Sequence, residues 1–394
     1  MHRAAVLTLA LVLASAALPQ VTTSRASTQR GTPATRSHVA GRSVVASDLT
    51  NPRGMTWGPD GTLYIAMAGS GGTTPGTPAM PAPLGPNQGG LTASIVRIAG
   101  GCLEVVADGL PSARDAQGGV VGVADLAYLG DQLYALVGAG GEAYGNPGTT
   151  NGVYEVSTDG TIDLVADTSA WLMVNRPQAV PGSPPGFPNV GYPFAMVADE
   201  ATGRLWVADS ANELVLTVSP GGTITVAADL SAKYRVLTAI ALAPAGGVLV
   251  SNLTSVPYPD GTAKVVHVTA DGTVTEVWGG LTAVTGVAVG PDSDLFAVEM
   301  STGNSAEPPF LQPYSGRLVR QVGKQRLEEV ATELLYPVAL DVGPDGAFYV
   351  AQPAFGADDG SGVIVRIVAE PAAASPAANE AAATKCPPLD AIIE

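Results

Sequence analysis

The chain has 394 residues, of which 48 are Gly and 32 Pro, with 14% charged residues and a formal net charge of −16. Its 19 Lys and Arg are scattered rather than clustered, which sets aside nucleic acid and anionic membrane surfaces as partners. The Gly, Pro, Val and Thr bias, without Glu, Lys and Leu at helical spacing, points to an all-β protein.

Residues 1–17 read as a secretory signal peptide: Arg3 supplies the basic start, residues 4–17 the apolar stretch, and Ala14-Ser15-Ala16 a small-residue cleavage site. The stretch is shorter than the ~20 residues a helix needs to span a bilayer. A secreted or extracytoplasmic monomer is expected, with no stable membrane insertion after cleavage. Residues 18–41 form a low-complexity linker without periodicity.

From residue 42 a two-part phrase recurs. The first part is a turn followed by a short apolar strand: GPDGTLYIAM at 58–67, LGDQLYALVG at 129–138, TGRLWVADS at 202–210, PAGGVLVSN at 244–252, GPDSDLFAVEM at 290–300 and GPDGAFYVAQ at 343–352. The second is a pair of alternating strands about a tight turn, as in GVYEVSTDGTIDLVADT and KVVHVTADGTVTEVWGGL. Glycine stands where these strands reverse, which suits a hairpin that needs positive φ. With the strand before each turn, every repeat supplies four antiparallel strands.

There are six first parts but only five complete hairpins, and the sixth repeat ends one strand short at SGVIVRIVAE. The partner is RSVVASDL at 42–49, so the N-terminal strand closes the last blade and removes a free edge. The predicted fold is a six-bladed β-propeller over 42–370, followed by a disordered Ala/Pro-rich tail at 371–394. The phrases at 57–66 and 342–351 then belong to neighbouring blades across the seam.

The turns within the repeats are tight on one face of such a ring, and the long insertions fall on the other: 68–93, 111–121, 139–151, 171–192, 253–263, 301–316 and 353–362. Loop elaboration confined to one face of a rigid scaffold marks the expected working face. Asp209, Asn212, Asn252, Glu299 and Gln352, at or near the ends of second strands, are expected to face the axial funnel there. Arg53, Asp125, Tyr192, Thr238 and Thr285 join them from the segments leading into the blades. Such a ring of oxygens could bind a small polar ligand, or hold a divalent cation such as Ca²⁺ through Asp209, Asn252 and Glu299.

Histidine is scarce: beyond the leader only His38 in the linker and His267 in the strand KVVHV remain, which excludes a three-histidine zinc centre. A Ser-His-Asp triad would have to use His267, away from the axis, and a sheet role is its simplest reading. Cys102 and Cys386 are the two cysteines; export permits a bridge between them and leaves two free thiols as the other arrangement.

VVASDLTNPRGMTWGPDGTLYIA, VADSANELVLTV, SVPYPDGTAKVVHVTADGTV and LLYPVALDVGPDGAFYVAQ resemble segments of the ScyD/ScyE family of exported propellers, over about residues 44–367. That resemblance implies an exported six-bladed, NHL-like propeller without an established catalytic role. Blade 2 departs from the pattern, reading GVADLAYLGDQ where a His-containing start is usual. The sequence therefore favours a non-enzymatic binding or scaffold protein whose loop-rich face takes a small molecule, glycan or protein partner. The alternative is a divalent-cation-dependent lactonase or hydrolase of the gluconolactonase-like propeller type.

Overall fold

The computed structural model describes residues 41–77, 86–176 and 190–369. The expected signal peptide, linker and tail, and Cys386, lie outside the described residues. Six antiparallel sheets form a ring, and their innermost strands, Pro52–Trp57, Val123–Leu129, Pro193–Asp199, Leu237–Leu242, Val284–Val289 and Ala339–Val342, touch in sequence, the last against the first. The protein is a six-bladed β-propeller. Five sheets have four strands, and that of blade 1 adds two short ones, Thr74–Pro75 and Val120–Val121.

Closure follows the sequence expectation. The strand Gly41–Leu49 pairs antiparallel with Gly362–Val368, with Val44 opposite Val365 and a bulge before Ala46. The repeated phrase places Trp57 of blade 1 edge-on to Tyr349 of blade 6, with ring centroids 4.8 Å apart. Each GPDG-type turn closes the same way: Gly58 N–H donates to Thr62 O at 2.8 Å, and Gly343 N–H to Ala347 O at 2.8 Å. Gly61 and Gly346 take φ of 79° and 74°, a region that costs a side chain but not glycine.

The core is divided among the blade interfaces. Ala127, Leu136 and Val153 of blade 2 pack with Leu205, Val207 and Leu216 of blade 3, and equivalent clusters fill the other junctions. Second strands are covered on both faces, so Leu63–Met67 and Val248–Asn252 are buried throughout, the first a continuous apolar run and the second apolar up to its last two residues. Fourth strands at the rim, such as Ile224–Asp229, are half exposed.

Two insertions differ from plain loops. In blade 1 the outer hairpin extends over Gln88–Ala99 and Cys102–Arg114, so that Gly89 and Gly90 pair with Ala113 and Ser112. The extension packs tightly because it lacks side chains: a Cβ on Gly89 would lie 2.4 Å from the Gly145 backbone. After blade 2 the chain forms a helix, Thr168–Asn175, whose first turn is capped by Asp167 accepting from Ala170 N–H at 2.7 Å. Among the described residues no helix is long and apolar enough to cross a membrane.

Candidate functional site at the axial mouth

A cavity of about 100 Å³ opens over the axis on the loop-rich face. Each blade contributes a residue near the start of its innermost strand: Arg53, Val121, Phe194, Thr238, Thr285 and Val338. A second tier comes from the segments just after second strands, namely Ser210, Leu253, Met300 and Ala354, and the insertions add Asn87, Asp115 and Tyr144. The wall is predominantly apolar, with few polar groups converging on it, the usual construction of a small-molecule pocket.

Backbone geometry fixes this rim. Asn51, Val236, Ala283 and Tyr336, which lead into blades 1, 4, 5 and 6, are left-handed, with φ of 50°, 59°, 44° and 44°. Their carbonyls accept from Ala68, Leu253, Met300 and Ala354 N–H at 2.7–3.0 Å. A β-branched residue such as Val236 at positive φ costs roughly 1–3 kcal/mol, so the ring of hydrogen bonds holds it there.

Three polar residues at the mouth donate to backbone carbonyls further along the chain, two of them in the next blade. Thr238 Oγ1 donates to Val284 O at 2.6 Å, and Thr285 Oγ1 to Pro337 O at 2.8 Å. Arg53 instead bonds within blade 1, its Nη2 donating at 2.6 Å to Val120 O, in the short strand that ends the blade 1 sheet just before blade 2, while Nη1 donates to Pro52 O at 3.0 Å. Arg53 is only 8% exposed, and among the described residues no carboxylate lies within ion-pair distance of it. Burial pulls its guanidinium below the usual arginine range, partly offset by the Tyr192 phenol and by Asp358. Tyr192 is pushed up, first by burial.

Beneath the mouth lies an axial channel of about 380 Å³, sharing Arg53, Phe194, Thr238, Thr285 and Val338 with the cavity above. Asp125 sits in this channel rather than at the mouth. Its Oδ2 accepts from Met196 N–H at 2.8 Å and its Oδ1 from Leu126 N–H at 2.9 Å, so blade 2 is joined to blade 3. Asp125 also leans over Gly54, where a Cβ would come within 1.8 Å of its Oδ1. Asp341 lines the same channel, accepting from Val342 N–H at 2.8 Å. Both carboxyls keep some contact with channel solvent but lie deep in the ring, and burial raises them to about 8 for Asp125 and about 7 for Asp341.

The strand-end residues have a different role from the one their position suggests. Asp209 accepts from Tyr192 N–H at 2.7 Å, Glu299 from Thr282 N–H at 2.6 Å and Gln352 from Leu335 N–H at 3.0 Å, while Asn252 Nδ2 donates to Arg235 O at 3.2 Å. In all four the partner lies 17 residues upstream, in the segment leading into the same blade. These side chains clamp the lead-in segment to the strand end and do not line the mouth. Asn212 N–H and Nδ2 both donate to Asp209 Oδ1, at 2.8 and 2.9 Å, so Asn212 belongs to the same clamp. The residue that faces the cavity is the next one, Ser210, Leu253 or Met300, as expected when successive side chains point to opposite sides.

The expected cation ligands do not fit a shared metal site. Both Asp209 oxygens already take N–H groups, Asn252 Oδ1 takes Lys264 N–H at 3.0 Å, and Glu299 Oε2 pairs with Arg317. The three have no partner in common, and among the described residues no group of three His, Cys, Asp or Glu could hold a metal ion. His267 is a third-strand residue whose Nε2 lies 2.7 Å from Gly246 O. Cys102 is disulfide-bonded, and its expected partner Cys386 lies outside the described residues.

Of the sequence-predicted residues, Arg53, Tyr192, Thr238 and Thr285 meet at the mouth. Phe194, Asp115 and the apolar second tier were not anticipated. Phe194 carried one legible signal, since it stands in GYPFAM, two residues after Tyr192, at the start of an innermost strand.

No family model matches the chain, and no curated protein matches it. Solved structures do. A Thermus thermophilus protein named for a glucose dehydrogenase is 16% identical, with a TM-score of 0.56 over 84% of this chain and 100% of its own. A Xanthomonas campestris gluconolactonase is 10% identical with a TM-score of 0.50, over 83% of this chain and 90% of its own. The calcium-binding protein regucalcin from Agrobacterium tumefaciens is 14% identical with a TM-score of 0.50, over 84% and 93%. At these identities the likeness is one of fold: the chain shares the propeller architecture of these proteins.

Proposed function

We propose that this protein is a binding protein, exported as the ScyD/ScyE-like resemblance implies, whose axial mouth takes one small molecule. The observation that carries this reading is the cavity itself, walled by all six blades and apolar except where Arg53, Tyr192 and a few other polar groups enter it. Its size suits several waters or one small ring. The test is a thermal-shift screen of sugars, lactones and aromatic acids, repeated on Met300→Trp, which fills the mouth. Binding that is lost in the filled variant supports the reading, and binding unaffected by it refutes it.

A cation-dependent lactone hydrolase is the second reading. The fold neighbours lean toward it, since a gluconolactonase and a calcium-binding protein share the architecture. The chain's own residues lean the other way, because Asp209, Asn252 and Glu299 are occupied within their blades. Metal analysis of the purified protein, with melts in Ca²⁺ and in chelator, separates the two. A bound cation and a chelator-sensitive melt would favour the hydrolase.

A further inference from the structure

We infer that the molecule seated at the mouth is a compact organic anion, with its carboxylate on the Arg53 guanidinium and its apolar body against Phe194, Leu253 and Met300. This rests on the mouth being a small-molecule site and adds the chemical class of its occupant.

Arg53 is more than its place in the fold requires. Stitching one blade to the next carbonyl takes a single donor, and in blades 4 and 5 a threonine hydroxyl supplies it. In blade 1 the corresponding position holds a guanidinium, whose acceptor Val120 O lies in that blade's own sheet, and it brings a permanent charge and N–H groups beyond those given to Pro52 O and Val120 O. Burying that charge without a counter-ion is costly, so a structural purpose alone does not explain the residue.

Nearby carboxylates do not cancel the charge. Asp358, the one that acts on Arg53, is already paired with Arg114 at 2.5 Å and also accepts from Asn51 Nδ2 at 2.7 Å. Asp115, in the cavity wall, accepts from Gln117 and Gly119 N–H at 2.8 and 2.9 Å, yet burial, the larger influence, raises its carboxyl above the usual carboxylate range, and it makes no ion pair with Arg53. In a chain of net charge −16, the mouth thus keeps one buried cation facing an apolar cavity. A planar carboxylate is the group that a guanidinium binds through paired hydrogen bonds, and the apolar wall supplies the rest of the contact.

The test compares benzoate and cyclohexanecarboxylate with benzamide and cyclohexanecarboxamide by calorimetry at pH 7, using the full chain. The wild-type protein should bind the acids on the order of tenfold or more tighter than the amides. Arg53→Gln, which keeps a donor for Val120 O, should bring acid and amide within about twofold of each other while circular dichroism and Tm report a folded propeller. Arg53→Lys, which keeps the charge but loses the paired geometry, should retain part of the preference and serves if the Gln variant fails to fold. Equal binding of acids and amides by the wild type overturns the anion assignment and leaves the mouth as a site for neutral molecules. A preference that survives Arg53→Gln overturns it as well, and binding of none of the four probes removes the mouth reading with it.

Discussion

The mouth cavity and the axial channel are separated only by the shared waist of Arg53, Phe194, Thr238, Thr285 and Val338, yet their chemistry differs. Above the waist a buried cation faces walls that are apolar but for a few groups, Asp115 among them; below it two carboxyls lie deep in the ring, with Arg53 the only cationic residue in the channel lining. In both places a charge is taken from water without a direct counter-ion. The difference lies in how each can be relieved. A carboxyl can take a proton near neutral pH, whereas a guanidinium cannot lose one and needs an anion from outside. A channel that relieves itself and a mouth that cannot is the contrast on which the functional reading stands.

The contrast can be broken from the channel side first. Gly54→Ala places a Cβ against Asp125 Oδ1 and within 2.9 Å of its Cα, so either the carboxylate or the innermost strands must move. Loss of more than ~3 kcal/mol, read by denaturant unfolding, is expected. Asp209→Ala strips acceptors from Tyr192 and Asn212 N–H and should cost about 2–3 kcal/mol. Its effect on ligand binding should be indirect, because Asp209 clamps the segment carrying Tyr192 and does not line the cavity.

A further effect comes from pH. A carboxyl raised from 3.8 to about 8 for Asp125, or to about 7 for Asp341, holds its proton in the folded state where the unfolded chain has released it. The folded state therefore binds more protons across that window, and stability falls as pH rises from about 4 to about 8. Asp125→Asn and Asp341→Asn should flatten this fall in melts taken at steps of pH. Least affected should be the rim: Arg320→Gln removes the exposed 2.5 Å pair with Glu328 and should change stability by under ~0.5 kcal/mol.

The ring was legible in the sequence because each blade repeats one turn chemistry. GPDG or DGT fixes where strands reverse, and the period of the phrase counts the blades. Closure was legible from an arithmetic mismatch, six turns against five hairpins, which RSVVASDL resolves. The site was legible only in part. Arg53, Tyr192, Thr238 and Thr285 stand at strand starts, where position along the chain determines position at the mouth.

At strand ends a one-residue step reverses the facing. Asn252 and Glu299 turn back to the backbone 17 residues upstream, and Leu253 and Met300 line the cavity instead. Polar character at the end of a strand does not distinguish a ligand-facing group from a loop clamp, since both need hydrogen-bonding atoms. The helix Thr168–Asn175 was missed for a different reason: TSAWLMVN has no apolar stripe at helical spacing, and its start is set by a cap from Asp167 rather than by periodicity.

A crystal structure of the protein soaked with benzoate would decide whether the mouth holds an anion. The benzoate ring should lie against Phe194, Leu253 and Met300, with the carboxylate oxygens within ~2.7–3.1 Å of the Arg53 guanidinium nitrogens. A mouth that holds only water while benzoate binds elsewhere, or a bound benzoate whose carboxylate points away from Arg53, would contradict it.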